Sequence, residues 1–217
     1  MKSRRFISIF LCVTLLLTLP APAALANGWG LKRGLMLNAV SKTHDYDEYT
    51  ALAQLKLPDG EVAVMLSIEG CEPFDPGLHT IAEYRAHGVR MAAITWNHEN
   101  TLGYPAMSGS TQGLKPYGVQ AIREMQRLAA DVSHLNEAGV FDILNKTDKP
   151  PMASHSNCRA LVDHPRNLSD EQLRAMFKAG GFVGVNFWPT IIGEPANIDH
   201  LIDHIAHMYD IGGEGKG

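Results

Sequence analysis

The sequence has 217 residues, a formal net charge of −4 and 45% hydrophobic residues, which fits a soluble globular protein with one main core. Acidic residues outnumber basic ones, 23 to 19, and no basic run occurs, which argues against a nucleic-acid surface. Ten histidines are a moderate excess, and they signal metal chemistry only where several converge.

Lys2, Arg4 and Arg5 precede an apolar run from Phe6 to Leu19, and Ala24-Leu25-Ala26 has the small-x-small pattern read by signal peptidase. The run is shorter than the roughly 20 residues that span a bilayer. The pattern therefore predicts a signal peptide over residues 1–26, cleaved after Ala26, and an exported chain, periplasmic or extracellular, with no stable membrane span. Residues 27–217 would form a single domain. Export would leave Cys71 and Cys158 in an oxidising setting, where a disulfide and two separate buried thiols are both open.

Residues 27–60 give little pattern, apart from a short amphipathic helix over Asp47–Leu57 ended by Pro58-Asp59-Gly60. From there, strands and helices alternate. Glu61–Ile68 reads as a strand, His79–His87 as a helix stopped by Gly88, and Val89–Thr95 as a second strand. A Gly-, Ser- and Pro-rich loop leads to a helix over Val119–Arg127, a third strand over Leu128–Ser133, a helix over Glu137–Asn145 and a short fourth strand over Pro151–Ser154. Ser169 and Gln172 form a capping box for a helix that Gly180-Gly181 ends. Phe182–Phe187 is a fifth strand and Ile198–Tyr209 a last helix. Apolar strands alternating with helices predict a parallel sheet covered by helices. Five strands fall short of the eight that close a β/α barrel, so the sheet is open or barrel strands are missing.

In parallel α/β folds, functional groups gather at the carboxyl ends of strands. Glu69, His134 and His155 each end a predicted strand. Two imidazoles and a carboxylate form a known ligand set for catalytic zinc, with a fourth position open to water.

Four blocks carry a family resemblance: Asp131-Val132-Ser133-His134, Ala153-Ser154-His155-Ser156-Asn157-Cys158-Arg159-Ala160, Asp163-His164-Pro165-Arg166-Asn167-Leu168 and Gly181-Phe182-Val183-Gly184-Val185-Asn186-Phe187. With Ser67-Ile68-Glu69-Gly70, Gly88-Val89-Arg90 and Thr95-Trp96-Asn97 upstream, their order and spacing resemble the membrane (renal) dipeptidase family over about residues 61–215. The resemblance implies a (β/α)8 TIM-barrel, metal-dependent hydrolase-like fold, here an incomplete barrel, and cleavage of dipeptides by water activated on zinc. The family carries two zinc ions. Glu69 would bridge them, and His134 and His155 would complete the shell of the second. Arg166 would bind the free carboxylate of the dipeptide, and His98 lies near the family's contact to the reacting carbonyl.

Two family motifs have no counterpart here. No His-x-Asp pair follows residue 26, and His44-Asp45-Tyr46-Asp47 has the wrong spacing. The Gly-Ser-Asp-Phe-Asp-Gly block, whose first Asp is the general acid/base, is also missing, and the chain stops at Gly212-Gly213-Glu214-Gly215-Lys216-Gly217. The chain therefore reads as truncated relative to the family, with one zinc held by three residues and impaired turnover. The alternative is a non-catalytic exported remnant that binds metal or a small peptide. Open sheet edges invite pairing with another chain, so a homodimer is also open.

Overall fold

The computed structural model of the chain describes residues 33–39, 62–125 and 128–213. The predicted signal peptide over residues 1–26 and the predicted helix over Asp47–Leu57 lie outside the described residues. Six strands form one sheet: β1 (Arg33–Ala39), β2 (Val62–Glu69), β3 (Val89–Ala93), β4 (Ala129–Asp131), β5 (Met152–Ala153) and β6 (Phe182–Val183). They lie in the order β1-β2-β3-β4-β5-β6, and every pair is parallel. Helices α1 (His79–Ala86), α2 (Pro116–Glu124), α3 (Glu137–Lys146) and α4 (Asp170–Lys178) carry the chain from β2 through to β6. A short helix, α5 (Pro189–Ile192), and α6 (Ile198–Met208) follow.

Sequential strand order separates this topology from doubly wound folds, in which the order reverses at a switch point. The β-α-β succession from β2 to β6 is the winding of a β/α barrel, and the six described strands form an open arc of one. Five strands were expected from the sequence, and β1 is the sixth. Its Arg33-Gly34-Leu35-Met36-Leu37-Asn38-Ala39 lacks the run of β-branched residues that marks a strand, and β1 is recognisable only through its seven-residue pairing with β2. Helix α2 starts at Pro116, three residues before the expected Val119, because proline with its fixed φ suits the first helical turn. The capping box of α4 is present as expected, with Ser169 and Gln172 each bonded to the other's backbone.

Side-chain alternation divides the sheet into two faces. Ile68 lies opposite Ala92, and Ala92 opposite Ala130. These residues join Val132, Ala153 and Val183 in the core that the helices cover. Helix α3 adds Val140 and Ile143, both fully buried, and each such aliphatic side chain contributes about 1.5–3 kcal/mol. One residue further along, Glu69, Ala93, Asp131 and Met152 are register partners on the opposite face. Ser67, Ser133 and Ser154 are also buried there or just beyond the strand ends. The apolar runs of the sequence thus enclose a polar face. Among the described residues, no helix is long and apolar enough to cross a membrane.

Candidate metal centre

Strand β2 ends at Glu69, and Gly70 follows with φ 89°, a left-handed conformation that favours glycine. Its N–H donates to the Ala93 carbonyl at 3.1 Å, which bends the chain away and leaves the Glu69 carboxylate at the carboxyl end of the sheet. His134 follows β4 in the turn closed by the Leu135 N–H to the Val132 carbonyl at 3.0 Å. His155 follows β5, and the Ser156 N–H donates to the Gly184 carbonyl of the neighbouring segment at 2.8 Å.

The structure brings the three side chains together. Glu69 Oε1 lies 3.1 Å from His134 Nε2 and 3.2 Å from His155 Nε2. The two Nε2 atoms are 2.9 Å apart. Among the described residues this is the single group of His, Cys, Asp or Glu whose ligand atoms converge in this way. Burial raises the Glu69 carboxyl, but the hydrogen bonds and positive charge that His134 and His155 offer it when protonated outweigh burial and hold the group at about 2. Burial, helped by the nearby charge of Arg166, holds His134 at about 4 against the opposing pull of Glu69. At neutral pH the cluster therefore presents a carboxylate and, at His134, a neutral imidazole, the protonation states that ligate a metal. Donor atoms at 2.0–2.2 Å from a tetrahedral ion lie roughly 3.3–3.6 Å apart. The observed triangle needs to open by only a few tenths of an ångström, so the residues fit a divalent cation.

A second set of residues surrounds the cluster. Asp131 is buried at the end of β4, and its Oδ1 accepts from the Ser133 hydroxyl at 2.6 Å and from the backbone N–H groups of Ser133 and Ser154, both at 3.0 Å. Its Oδ2 accepts from the Ser154 hydroxyl. Ser154 Oγ in turn lies 2.6 Å from His155 Nδ1, and Ser133 Oγ accepts from the backbone N–H of His155 at 3.0 Å. Sequence reasoning assigned no role to Asp131, Ser133 or Ser154. The available signal was the period of two, which places Asp131 and Ser133 on one face ahead of His134.

Arg166 is 4% exposed, held in a loop closed by the Leu168 N–H to the Asn157 carbonyl and the Arg159 N–H to the Leu168 carbonyl. Within it, Asn167 Nδ2 donates to the carbonyls of Val162 and Ile191. Burial lowers Arg166 to about 10 while Asp131 and Glu69 oppose the shift, so its charge acts on the cluster. Its Nη1 is buried without a hydrogen-bond partner among the described residues. A buried guanidinium with an unsatisfied Nη1, whose charge is felt at Glu69 and His134, is suited to an incoming anion. His98 is exposed on the loop after β3 and is not part of the cluster. Cys71 and Cys158 are both free and buried, which decides for two separate thiols.

Comparison with known proteins gives a consistent result. The family described as membrane dipeptidase (peptidase family M19) matches residues 36–216. An uncharacterized dipeptidase of Schizosaccharomyces pombe is 34% identical over 165 residues, 71% of this chain and 40% of the relative. A dipeptidase of Claviceps purpurea is 28% identical over 156 residues, 69% of this chain and 37% of its own. A metallo peptidase from Rhodobacter sphaeroides, solved with a phosphinate mimic of the dipeptide L-Ala-D-Ala, superposes with a TM-score of 0.66 at 27% identity, covering 82% of this chain and 53% of that one. An amidohydrolase from Pseudomonas aeruginosa gives 0.69 at 23% identity, over 83% and 55%, a likeness of fold. The chain thus spans between 37% and 55% of the length of these four proteins.

Proposed function

This chain belongs to the membrane dipeptidase family, peptidase family M19, and on that premise we propose that it is a zinc-dependent hydrolase of dipeptides. The observation that supports this reading is the meeting of Glu69, His134 and His155 within 2.9–3.2 Å, with the buried charge of Arg166 acting on them. Glu69 Oε1, His134 Nε2 and His155 Nε2 would hold one zinc ion. Bound there, zinc supplies Lewis acidity toward a carbonyl and acidifies a coordinated water to a pKa of about 7.

The chain's own residues do the rest. Arg166 receives the free carboxylate of the dipeptide in a bidentate, charge-assisted pair. That pairing places the scissile carbonyl at a fixed distance from the cluster and disfavours longer peptides, which have no carboxylate at that point. His98 is proposed to approach the reacting carbonyl from the loop after β3. The same reading includes export after cleavage at Ala26, which amino-terminal sequencing of the secreted product checks.

Zinc content and hydrolysis of unblocked dipeptides, measured on the wild type and on His134→Ala, test the assignment. Bound zinc and a zinc-dependent turnover that His134→Ala abolishes are expected. Undiminished zinc content in the variant would remove His134 from the site.

A further inference from the structure

We propose that Asp131, acting through the hydroxyl of Ser154, fixes the proton of His155 on Nδ1, so that Nε2 is the ring atom presented to a cation. The inference rests on the reading of Glu69, His134 and His155 as metal ligands and concerns how one ligand is prepared.

The assignment follows from counting protons. Ser133 and Ser154 each have one hydroxyl proton. A buried carboxylate only accepts, and Asp131 meets both hydroxyls, Ser133 through Oδ1 at 2.6 Å and Ser154 through Oδ2. Both hydroxyl protons are therefore committed to Asp131. Were the Ser154 proton turned toward His155 instead, the Ser154 oxygen and Asp131 Oδ2 would face each other as two acceptors in close contact. With that proton committed, the Ser154 oxygen can only accept at its 2.6 Å contact with His155, so His155 Nδ1 carries the donating proton. The 3.2 Å approach of the two serine oxygens leaves this order unchanged, because Ser133 Oγ already accepts from the backbone N–H of His155.

The two imidazoles are consequently unlike. His155 has an oxygen acceptor that keeps its Nδ1 proton, and its Nε2 is the atom free to lose one. His134 Nδ1 is buried with no hydrogen-bond partner among the described residues, so no described group holds a proton there. Asp131 and Ser154 are positioning residues: neither reaches the triangle of ligand atoms, and both act through His155. Outer partners of this kind are worth roughly 10–100-fold in metal affinity.

The test begins on the unaltered chain. Nitrogen-15 NMR of histidine-labelled, metal-free protein at mildly alkaline pH reports the tautomer of His155. The Nδ1–H form is expected, unchanged after zinc is added. Ser154→Ala should lose that preference and bind zinc roughly 10–100-fold more weakly, with its circular dichroism unchanged, and Ser154→Thr, which keeps the hydroxyl, should restore both. In Asp131→Asn an amide donor facing Ser154 should turn the hydroxyl proton onto His155 and favour the Nε2–H form. An Nε2–H tautomer in the wild type, or wild-type zinc affinity in a folded Ser154→Ala, would overturn the proposal. If Ser154→Ala fails to fold, the wild-type spectrum and Ser154→Thr decide. An Nδ1–H tautomer in a chain that binds no zinc would leave the relay standing and defeat the metal reading instead.

Discussion

His134 and His155 stand 21 residues apart in the chain and bring their Nε2 atoms to 2.9 Å. The same offset joins their strands, because Asp131 of β4 pairs with Met152 of β5. Three residues beyond that pair, the two imidazoles lie opposite each other. Glu69 enters through the same register, since it pairs with Ala93 and Ala93 with Asp131. The ligand triangle is therefore a consequence of parallel strand register carried past the strand ends.

Arg166→Lys should lower kcat/KM for dipeptides by about 10–100-fold, because a point charge replaces a fork and charge-assisted hydrogen bonds are worth about 1.5–3 kcal/mol. Zinc content should not change. Steady-state kinetics on a dipeptide and on the matching dipeptide amide separate the causes. The loss should be confined to the substrate with a free carboxylate, and an equal loss on the amide would exclude the carboxylate clamp.

Metal-free protein should lose stability as pH falls. His134 is held at about 4, below its ordinary 6.5, so between those values the unfolded chain takes up a proton that the folded chain does not. Glu69 is held at about 2, below 4.5, so its contribution is present above 4.5 and is lost as pH falls toward 2. Both shifts favour the unfolded state on acidification, and His134 acts first. Urea midpoints measured at steps from neutral pH down to 4 should fall throughout. A midpoint that rises between 6.5 and 4 would contradict the neutral state of His134.

Gly184→Ala should weaken both the fold and the site. A Cβ at that position would lie 2.4 Å from the Ser154 carbonyl oxygen, which belongs to backbone and cannot swing aside. Gly184 also donates to the Ala153 carbonyl at 2.7 Å and accepts from the Ser156 N–H at 2.8 Å, so displacement passes directly to the segment bearing His155. Overpacking of this kind costs about 1–3 kcal/mol. Thermal melts with and without zinc should show a lower midpoint and a smaller zinc-induced rise than in the wild type.

The thiols should be inert in the native state. Burial pushes Cys158 up to about 12, with Asp170 adding to the shift, and burial with Glu72, Asp131 and Asp75 raises Cys71 as well. Each donates to a carbonyl, Cys71 to Ala93 and Cys158 to His204. Alkylation followed by peptide mapping should modify neither residue at neutral pH and both in guanidinium.

Local patterning was enough to place most of the elements. The Ser169–Gln172 box, the glycines after α4 and the apolar runs of β2 and β3 are short-range signals, and all correspond to elements of the fold. β1 escaped because its residues have weak strand preference and its order comes from pairing with β2. Strands β4, β5 and β6 are each shorter than the runs that predicted them, because the length over which each pairs with its neighbour is set by the sheet and not by local composition.

The sequence by itself determined the chemistry available: one carboxylate and two imidazoles after strands, an arginine in a specific block, and alternation that demands a parallel sheet. Only the tertiary structure decided which groups meet. The register placed Glu69, His134 and His155 in one triangle and left His98 exposed. It also buried Asp131 beneath two serines, where a carboxylate is stable because four donors replace its water. Spacing along a chain specifies strand ends, but donor and acceptor partners depend on neighbours that are distant in sequence, and those neighbours exist only once the sheet has formed.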